Sequence, residues 1–267
     1  MGPLVSVIIP TLNRPDSLQK CLESLYRQSY RNYEVIIADE EGELAKIRNE
    51  AAKEAKGEIL SFIDDDVIVT EGWLIGIVEC LGKSNLAGGC SGPSVIPDEY
   101  RSNRDIFRYK QIKLLYDYLF LEGKADLPGH LTKSGTWTTG AALPSCSYEG
   151  EVQFLEACNQ SYKKEAFWEV GGFDEKYRGI GDWSEPDLAF RVRAAGWKLL
   201  FDPAVKLFHL PSKTGAYLKR EQVGARLTNY QLFADRWVKP CFRHSAYKAF
   251  LNSYFWIKEM RWKFSRH

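Results

Sequence analysis

The sequence has no pair of cysteines at CxxC spacing and no zinc-finger pattern. Its six cysteines, Cys21, Cys80, Cys90, Cys146, Cys158 and Cys241, are scattered along 267 residues. Free thiols in a reducing compartment are expected, which favours the cytoplasm. Neither sign of charge is in excess. The formal net charge is +1, so no global field draws the molecule to nucleic acid and any electrostatic partner must meet a local patch. No window reaches 18 apolar residues, so no membrane span is expected. The opening MGPLVSVIIPTLN lacks a basic leader and a long apolar core, so it does not read as a secretory signal. No internal repeat is found.

What is present is ordinary for a globular protein: 45% hydrophobic and 27% charged residues, enough for one large domain or one domain with a helical appendage. Strand and helix patterns alternate through the first hundred residues. Val5 to Pro10 reads as a buried strand, Arg14 to Ser29 as a helix, Tyr33 to Ala38 as a second strand, and Gly42 to Lys56 as a helix. Glu58 to Ile63 is a third strand and Gly72 to Leu81 another helix. Such alternation predicts a doubly wound, mainly parallel α/β sheet, with ligands beyond the carboxyl ends of its strands. Further on, Arg104 to Leu121 reads as an amphipathic helix and GKADLPGHLTKSGTWTTGAALPS as loops over a site. Glu151 to Lys163 looks like one strand, Pro186 to Ala195 a helix, and Trp197 to Leu210 strand-like sequence ending at His209.

FIDDDV places Asp64, Asp65 and Asp66 directly after the third strand. In extended chain Asp64 and Asp66 point one way and Asp65 the other. Three like charges this close repel unless protonated, solvated or neutralised, and carboxylate oxygens suit hard cations such as Mg²⁺ or Mn²⁺. A solvated acidic turn is the plainer alternative.

Five segments, SVIIPTLNRPDSLQKCLESLYRQSY, YEVIIADE, KIRNEAAKEAKGEILSFIDDDV, CNQSYKKEAFWEVGGFDEKY and EPDLAFRVRAAGW, resemble in order and spacing the family 2 glycosyltransferases of the GT-A fold, over roughly residues 4 to 210. The resemblance implies transfer of a sugar from a UDP-, GDP- or TDP-sugar donor with inversion, assisted by Mn²⁺ or Mg²⁺, to a glycan or lipid-linked acceptor. Pro10, Thr11, Asn13 and Arg14 match the segment bordering the nucleoside, Asp39 the acid near the base, and Arg48 an arginine near base or diphosphate. ADEEGE departs from the usual Asp-Asp-Gly-Ser run, which leaves the nucleobase open. Asp64 and Asp66 match the Asp-any-Asp motif, with Asp66 the direct metal ligand, Asp64 on metal or ribose, and Asp65 beside the donor or structural. His209 matches a histidine that some members place on the metal.

The stretch Ser184, Glu185, Pro186, Asp187 stands where members carry Glu-Asp-any-Asp, so Glu185 replaces the usual aspartate base and Asp187 is the alternative. Asp182, Trp183 and Asn159 are expected at the acceptor. Two other functions compete. Nucleotidyl transfer to a sugar phosphate wants a glycine-rich loop after the first strand, and IIPTLNRPDSL has none. A non-catalytic carbohydrate- or metal-binding module would release no nucleoside diphosphate. The expected division is 1–215 for the transferase domain, with a nucleotide-binding half to residue 100, and 216–267 for a C-terminal helical extension. After Trp237 seven Lys and Arg face Glu259 alone, while Tyr247, Phe250, Leu251, Tyr254 and Phe255 recur at helical spacing. This tail reads as an element peripheral on the inner face of the cell membrane, or as a packed helix with a solvated basic face.

Overall fold

The computed structural model describes residues 2–100, 110–211 and 223–264. The strands are β1 (Val5–Thr11), β2 (Tyr33–Asp39), β3 (Ile59–Ile63), β4 (Val67–Val69), β5 (Ala87–Ser91), β6 (Ser94–Val95), β7 (Gly150–Val152), β8 (Asn159–Lys163), β9 (Lys198–Phe201) and β10 (Leu207–His209). The α-helices are α1 (Pro15–Tyr26), α2 (Leu44–Glu54), α3 (Trp73–Gly82), α4 (Lys110–Tyr116), α5 (Lys164–Glu169), α6 (Ser184–Ala194), α7 (Val223–Trp237) and α8 (Phe242–Phe264). Seven strands form one sheet in the order β2-β1-β3-β8-β5-β9-β7, and β4-β10-β6 form a small second sheet.

Period-2 alternation sorts the large sheet's side chains into two cores. On one face Ile8, Leu60, Phe62 and Tyr162 pack under α2, α5 and α6, whose Ala45, Ala52, Ala166 and Ala189 let the backbones approach closely. On the other face Val5, Val7, Ile9 and Ile63 pack under α1 and α3. β1, β2 and β3 are parallel. β8 runs antiparallel between β3 and β5, with Ile63 opposite Asn159. The start of β8 therefore lies at the same sheet edge as the end of β3, and that edge collects the chemistry.

The expected strand over Glu151 to Lys163 is two strands. β7 pairs with β9 at the sheet margin, whereas β8 is central, so the residues between them must leave the sheet and cross to reach their partners. Trp197 to Leu210 also divides. A turn at Asp202, where Val205 N donates to the Asp202 carbonyl at 3.0 Å and Pro203 has no N–H to offer a ladder, sends β10 into the second sheet. There His209 pairs antiparallel with Val67, and Leu210 N donates to Asp66 O at 2.8 Å. Of the amphipathic helix expected over Arg104 to Leu121, residues 101–109 lie outside the described residues; α4 then passes into a π-turn at Asp117–Leu121.

α7 and α8 pack on α6 and the π-turn in a third cluster that buries Phe120, Tyr177, Trp183, Tyr230, Phe233, Tyr247, Leu251 and Phe255. Much of the tail's aromatic face is thus turned to the protein. The expected boundary at 215/216 and the side chains of Lys258, Arg261, Lys263 and Arg266 fall outside the described residues.

Candidate active site

A cleft of about 410 Å³ opens beyond the strand ends. Pro10, Thr11, Arg14, Arg48, the aspartate triplet, Asp182, Trp183, Glu185 and His209 all line it. The acids are sorted by partner. Asp65 is buried; its Oδ2 accepts from Thr11 Oγ1 at 2.7 Å, and its Oδ1 pairs with Arg14 at 2.6 Å. Arg14 also pairs with Asp66. Asp66 Oδ1 in turn meets His209 Nε2 at 3.2 Å, and the more open Asp64 lies 3.4 Å from Arg48. Burial pushes the Asp65 carboxyl up to about 6, with its like-charged neighbours adding to the effect and Thr11 and Arg14 opposing it. For His209 burial opposes the charged ring, but Cys158 and hydrogen-bonded Asp66 outweigh it and push the imidazole up to about 11.

Asp64, Asp66 and His209 each bring a ligand atom within 4.8 Å of one another. Two carboxylates and an imidazole on one point are a fitting donor set for a divalent cation. Arg14 already supplies positive charge to the triplet.

Across the cleft α6 begins. The loop before it winds through left-handed residues, Gly179, Gly181 and Trp183, the last at φ 71°. A tryptophan in that region is held there by its surroundings. Its ring packs on Trp137 and Tyr230, each at 5.4 Å. Two residues on, Glu185 is buried at the helix N-terminus with its Oε1 accepting from Arg48 at 2.6 Å. Burial pushes this carboxyl up and Arg48 pulls it partly back. Arg48 itself is 1% exposed, lies over the Phe173 ring, and ties the Glu185 side of the cleft to Asp64.

Four expected site residues lie elsewhere. Asn13, at φ 55°, and Asp39 are exposed at their strand ends and do not line the cleft. Asn159 is buried beneath it. Its Oδ1 accepts from Trp73 Nε1 at 3.0 Å and its amide donates to the Gly92 and Val205 carbonyls, so both ends of the side chain are engaged within the protein. Asp187 is fully buried and faces away: Arg191 Nε at 2.8 Å, Trp237 Nε1 at 2.9 Å and Arg236 at 3.1 Å all converge on its carboxylate. Two residues, about 200° around the helix, separate an acid that lines the cleft from one that anchors α6 to α7.

Glu40, Trp137, Glu156 and Arg226 line the cleft without having been anticipated. Arg226 reaches in from α7 to pair with Asp182 at 2.7 Å. Glu156 was hidden in the segment read as one strand. Its Oε1 is buried and accepts no hydrogen bond, and burial pushes the carboxyl up to about 7 with His209 opposing. The folded chain therefore keeps a proton that the unfolded chain has lost, so the contribution of Glu156 to stability is full below the ordinary carboxylate range and falls away as pH rises to about 7. Glu156→Gln is expected to remove most of that fall, about 3 kcal/mol at roughly 1.4 kcal/mol per pK unit. Urea denaturation of the metal-free protein across this pH range measures it, and parallel pH profiles for the two proteins would refute it.

The sheet order, the acids at its strand ends and the helix bearing Glu185 define a domain of the GT-A glycosyltransferase fold. Two solved structures share it. The mannosyltransferase PcManGT from Pyrobaculum calidifontis, in complex with GDP-Man and Mn²⁺, has a TM-score of 0.57 at 19% identity, covering 96% of this chain and 70% of that one. GalNAc-T7 with UDP, GalNAc and Mn²⁺ has a TM-score of 0.62 at 16% identity, covering 88% and 48%. The model of glycosyl transferase family 2 matches residues 6–43 and 40–171, and the chain belongs to that family. Among curated proteins it is 25% identical over 238 residues to the O-antigen biosynthesis protein RfbC of Myxococcus xanthus, covering 78% of this chain and 17% of that protein. This chain spans about a third or less of the length of the first curated relatives it matches.

Proposed function

We propose that this chain is an inverting glycosyltransferase that moves a sugar from a nucleotide-sugar donor to a hydroxyl of a glycan or lipid-linked acceptor in a single displacement. The observation that carries the reading is that one cleft is lined both by the Asp64, Asp66 and His209 cluster and by buried Glu185, with Arg48 reaching Asp64 and Glu185. On this reading Pro10, Thr11, Arg14 and Arg48 border the donor. Asp65 holds Thr11 and Arg14 in position. Asp64, Asp66 and His209 would hold Mn²⁺ or Mg²⁺, which when bound stabilises the negative charge of the departing diphosphate. Glu185 takes the proton of the acceptor hydroxyl. Its raised carboxyl gives it basicity, while the Arg48 contact fixes its direction. Trp137 and Trp183 offer aromatic faces to a sugar ring, and Asp182, held by Arg226, stands beside them.

The complexes of PcManGT with GDP-Man and Mn²⁺ and of GalNAc-T7 with UDP and Mn²⁺ support a GDP- or UDP-linked donor. A cytoplasmic location, peripheral on the inner face of the membrane, suits a lipid-linked acceptor. Among the described residues no helix is long and apolar enough to cross a membrane. The direct test is a thermal-shift panel of UDP-, GDP- and TDP-sugars with and without Mn²⁺, since a ligand that binds only the folded state raises its melting temperature. Asp66→Ala is expected to lower Mn²⁺-dependent donor affinity by ~10²-fold or more, read by calorimetry. The fold should survive, because β3 ends before the triplet. Unchanged affinity would remove Asp66 from the metal site.

A further inference from the structure

A buried polar atom without a partner is rare in a folded protein, and a ligand is one of its explanations. Among the described residues that line the cleft, such atoms occur on Arg14, Arg48, Asp65, Asp66, Trp183 and Glu156. The two arginines and two aspartates are held in ion pairs, and the Trp183 ring is packed against Trp137 and Tyr230. Glu156 is the exception. Its Oε1 meets no donor, and only the charge of His209 offsets the burial of its carboxyl.

The backbone fixes where this carboxyl stands. Asn159 N donates to the Glu156 carbonyl at 2.9 Å, which closes a turn, and Glu156 N donates to Ser91 Oγ at 3.3 Å. The turn leads into β8, where Asn159 lies opposite Ile63, the residue before Asp64. Glu156 therefore borders the Asp64, Asp66 and His209 cluster without belonging to it. The same cleft is lined by Phe154, whose ring lies 6.4 Å from Trp137, and Trp137 lies 5.4 Å from Trp183, two residues before Glu185.

We infer that Glu156 selects the donor sugar, its carboxylate accepting a hydrogen bond from one ring hydroxyl of the sugar carried by the nucleotide. The inference rests on the glycosyltransferase reading: with the diphosphate at the metal cluster and the attacking hydroxyl at Glu185, the transferred ring lies in the part of the cleft that Glu156 lines. A carboxylate oxygen only accepts, and His209 already brings positive charge to it, so a neutral O–H suits it better than an ammonium. Rotation about the last side-chain bond exchanges the two oxygens, so Oε1 can face the cleft without any movement of the turn. A site built to accept from a hydroxyl rejects the sugar that lacks it, because the carboxylate is then left desolvated and unpaired.

The test is calorimetry on the full chain with Mn²⁺, first with UDP, GDP and TDP and then with their glucose, galactose, N-acetylglucosamine and mannose conjugates. The best-bound donor is then compared with its monodeoxy forms. Glu156→Ala is expected to leave nucleoside diphosphate affinity unchanged and to lower affinity for the best-bound donor by ~10-fold or more. One deoxy donor should lose as much on the wild type and lose nothing further on Glu156→Ala, the signature of a shared contact. Glu156→Gln, which keeps an acceptor oxygen, should retain most of the affinity, and melting temperatures establish that both variants are folded. Losses that add at every deoxy position overturn the inference, as does a Glu156→Ala protein that ranks the sugars like wild type, or a wild type that ranks none. An equal fall for the bare nucleoside diphosphate and for its sugar conjugate overturns it too, because Glu156 then serves the metal or the fold. A wild type that binds no nucleoside diphosphate removes the glycosyltransferase reading and the inference with it; every other adverse result leaves that reading standing.

Discussion

Glu185→Gln is expected to leave the donor bound and to slow transfer by ~10²–10⁴, the range for loss of a general base. The substitution is conservative for the fold. A glutamine Oε1 still accepts the 2.6 Å hydrogen bond from Arg48, and the α6 N-terminus keeps its packing, so the effect isolates proton transfer. Because burial raises the carboxyl of Glu185, wild-type turnover should rise with pH as Glu185 loses its proton. That limb should be absent from the variant's profile. The measurement is single-turnover sugar transfer across pH, with donor affinity followed separately. Near wild-type turnover in Glu185→Gln combined with a collapse in Asp187→Asn would move the base two residues along α6.

Asp187→Ala is expected to fail differently, by losing stability. The carboxylate lies where Arg191, Arg236 and the Trp237 indole converge, with no exposure to water. Removing one partner of a buried pair strands the charges that remain, at a cost of about 3–5 kcal/mol. Arg236 keeps Asp174 at 2.7 Å and Arg191 keeps the carbonyls of Val170 and Gly172, which holds the loss within that range. Urea unfolding should show a lower midpoint at an unchanged slope. A fully stable protein with lost turnover would return Asp187 to the chemistry.

These two acids show where the sequence is legible. Acid residues at the first turn of a helix are visible in SEPDLAFRV, but which one faces a cleft depends on what packs against the helix. The decisive partners, Arg236 and Trp237, lie some fifty residues away. β1, β2 and β3 were readable because each is a dense apolar run between helical patterns, a local signal. β7 and β8 were not separable, since nothing within Glu151 to Lys163 records that its two ends pair with different strands. Glu156 was lost with that error. Asn159 was misplaced because its partners are a distant indole and two backbone carbonyls, which leave no mark on the local pattern. The triplet stood out as acids at a strand end, whereas His209 was singled out through the family resemblance, and the structure brings Asp64, Asp66 and His209 together. What brings them together is the antiparallel pairing of β10 with β4, which chain periodicity does not encode.

The family match ends at residue 171, yet Asp182, Trp183, Glu185, His209 and Arg226 all line the cleft beyond it. The chain thus divides its work by evolutionary address: the stretch common to the family carries the nucleotide edge and the triplet, and a later stretch frames the rest of the cleft. The later stretch also supplies His209 to the Asp64 and Asp66 cluster. On the proposed reading, a relative can keep the same donor chemistry while its acceptor changes through drift in α7 and α8. Grafting the segment after His209 from another family member is then the natural way to exchange acceptors while the triplet, its histidine and Glu185 stay in place. The bond between Arg226 and Asp182 is the first contact such a graft must restore.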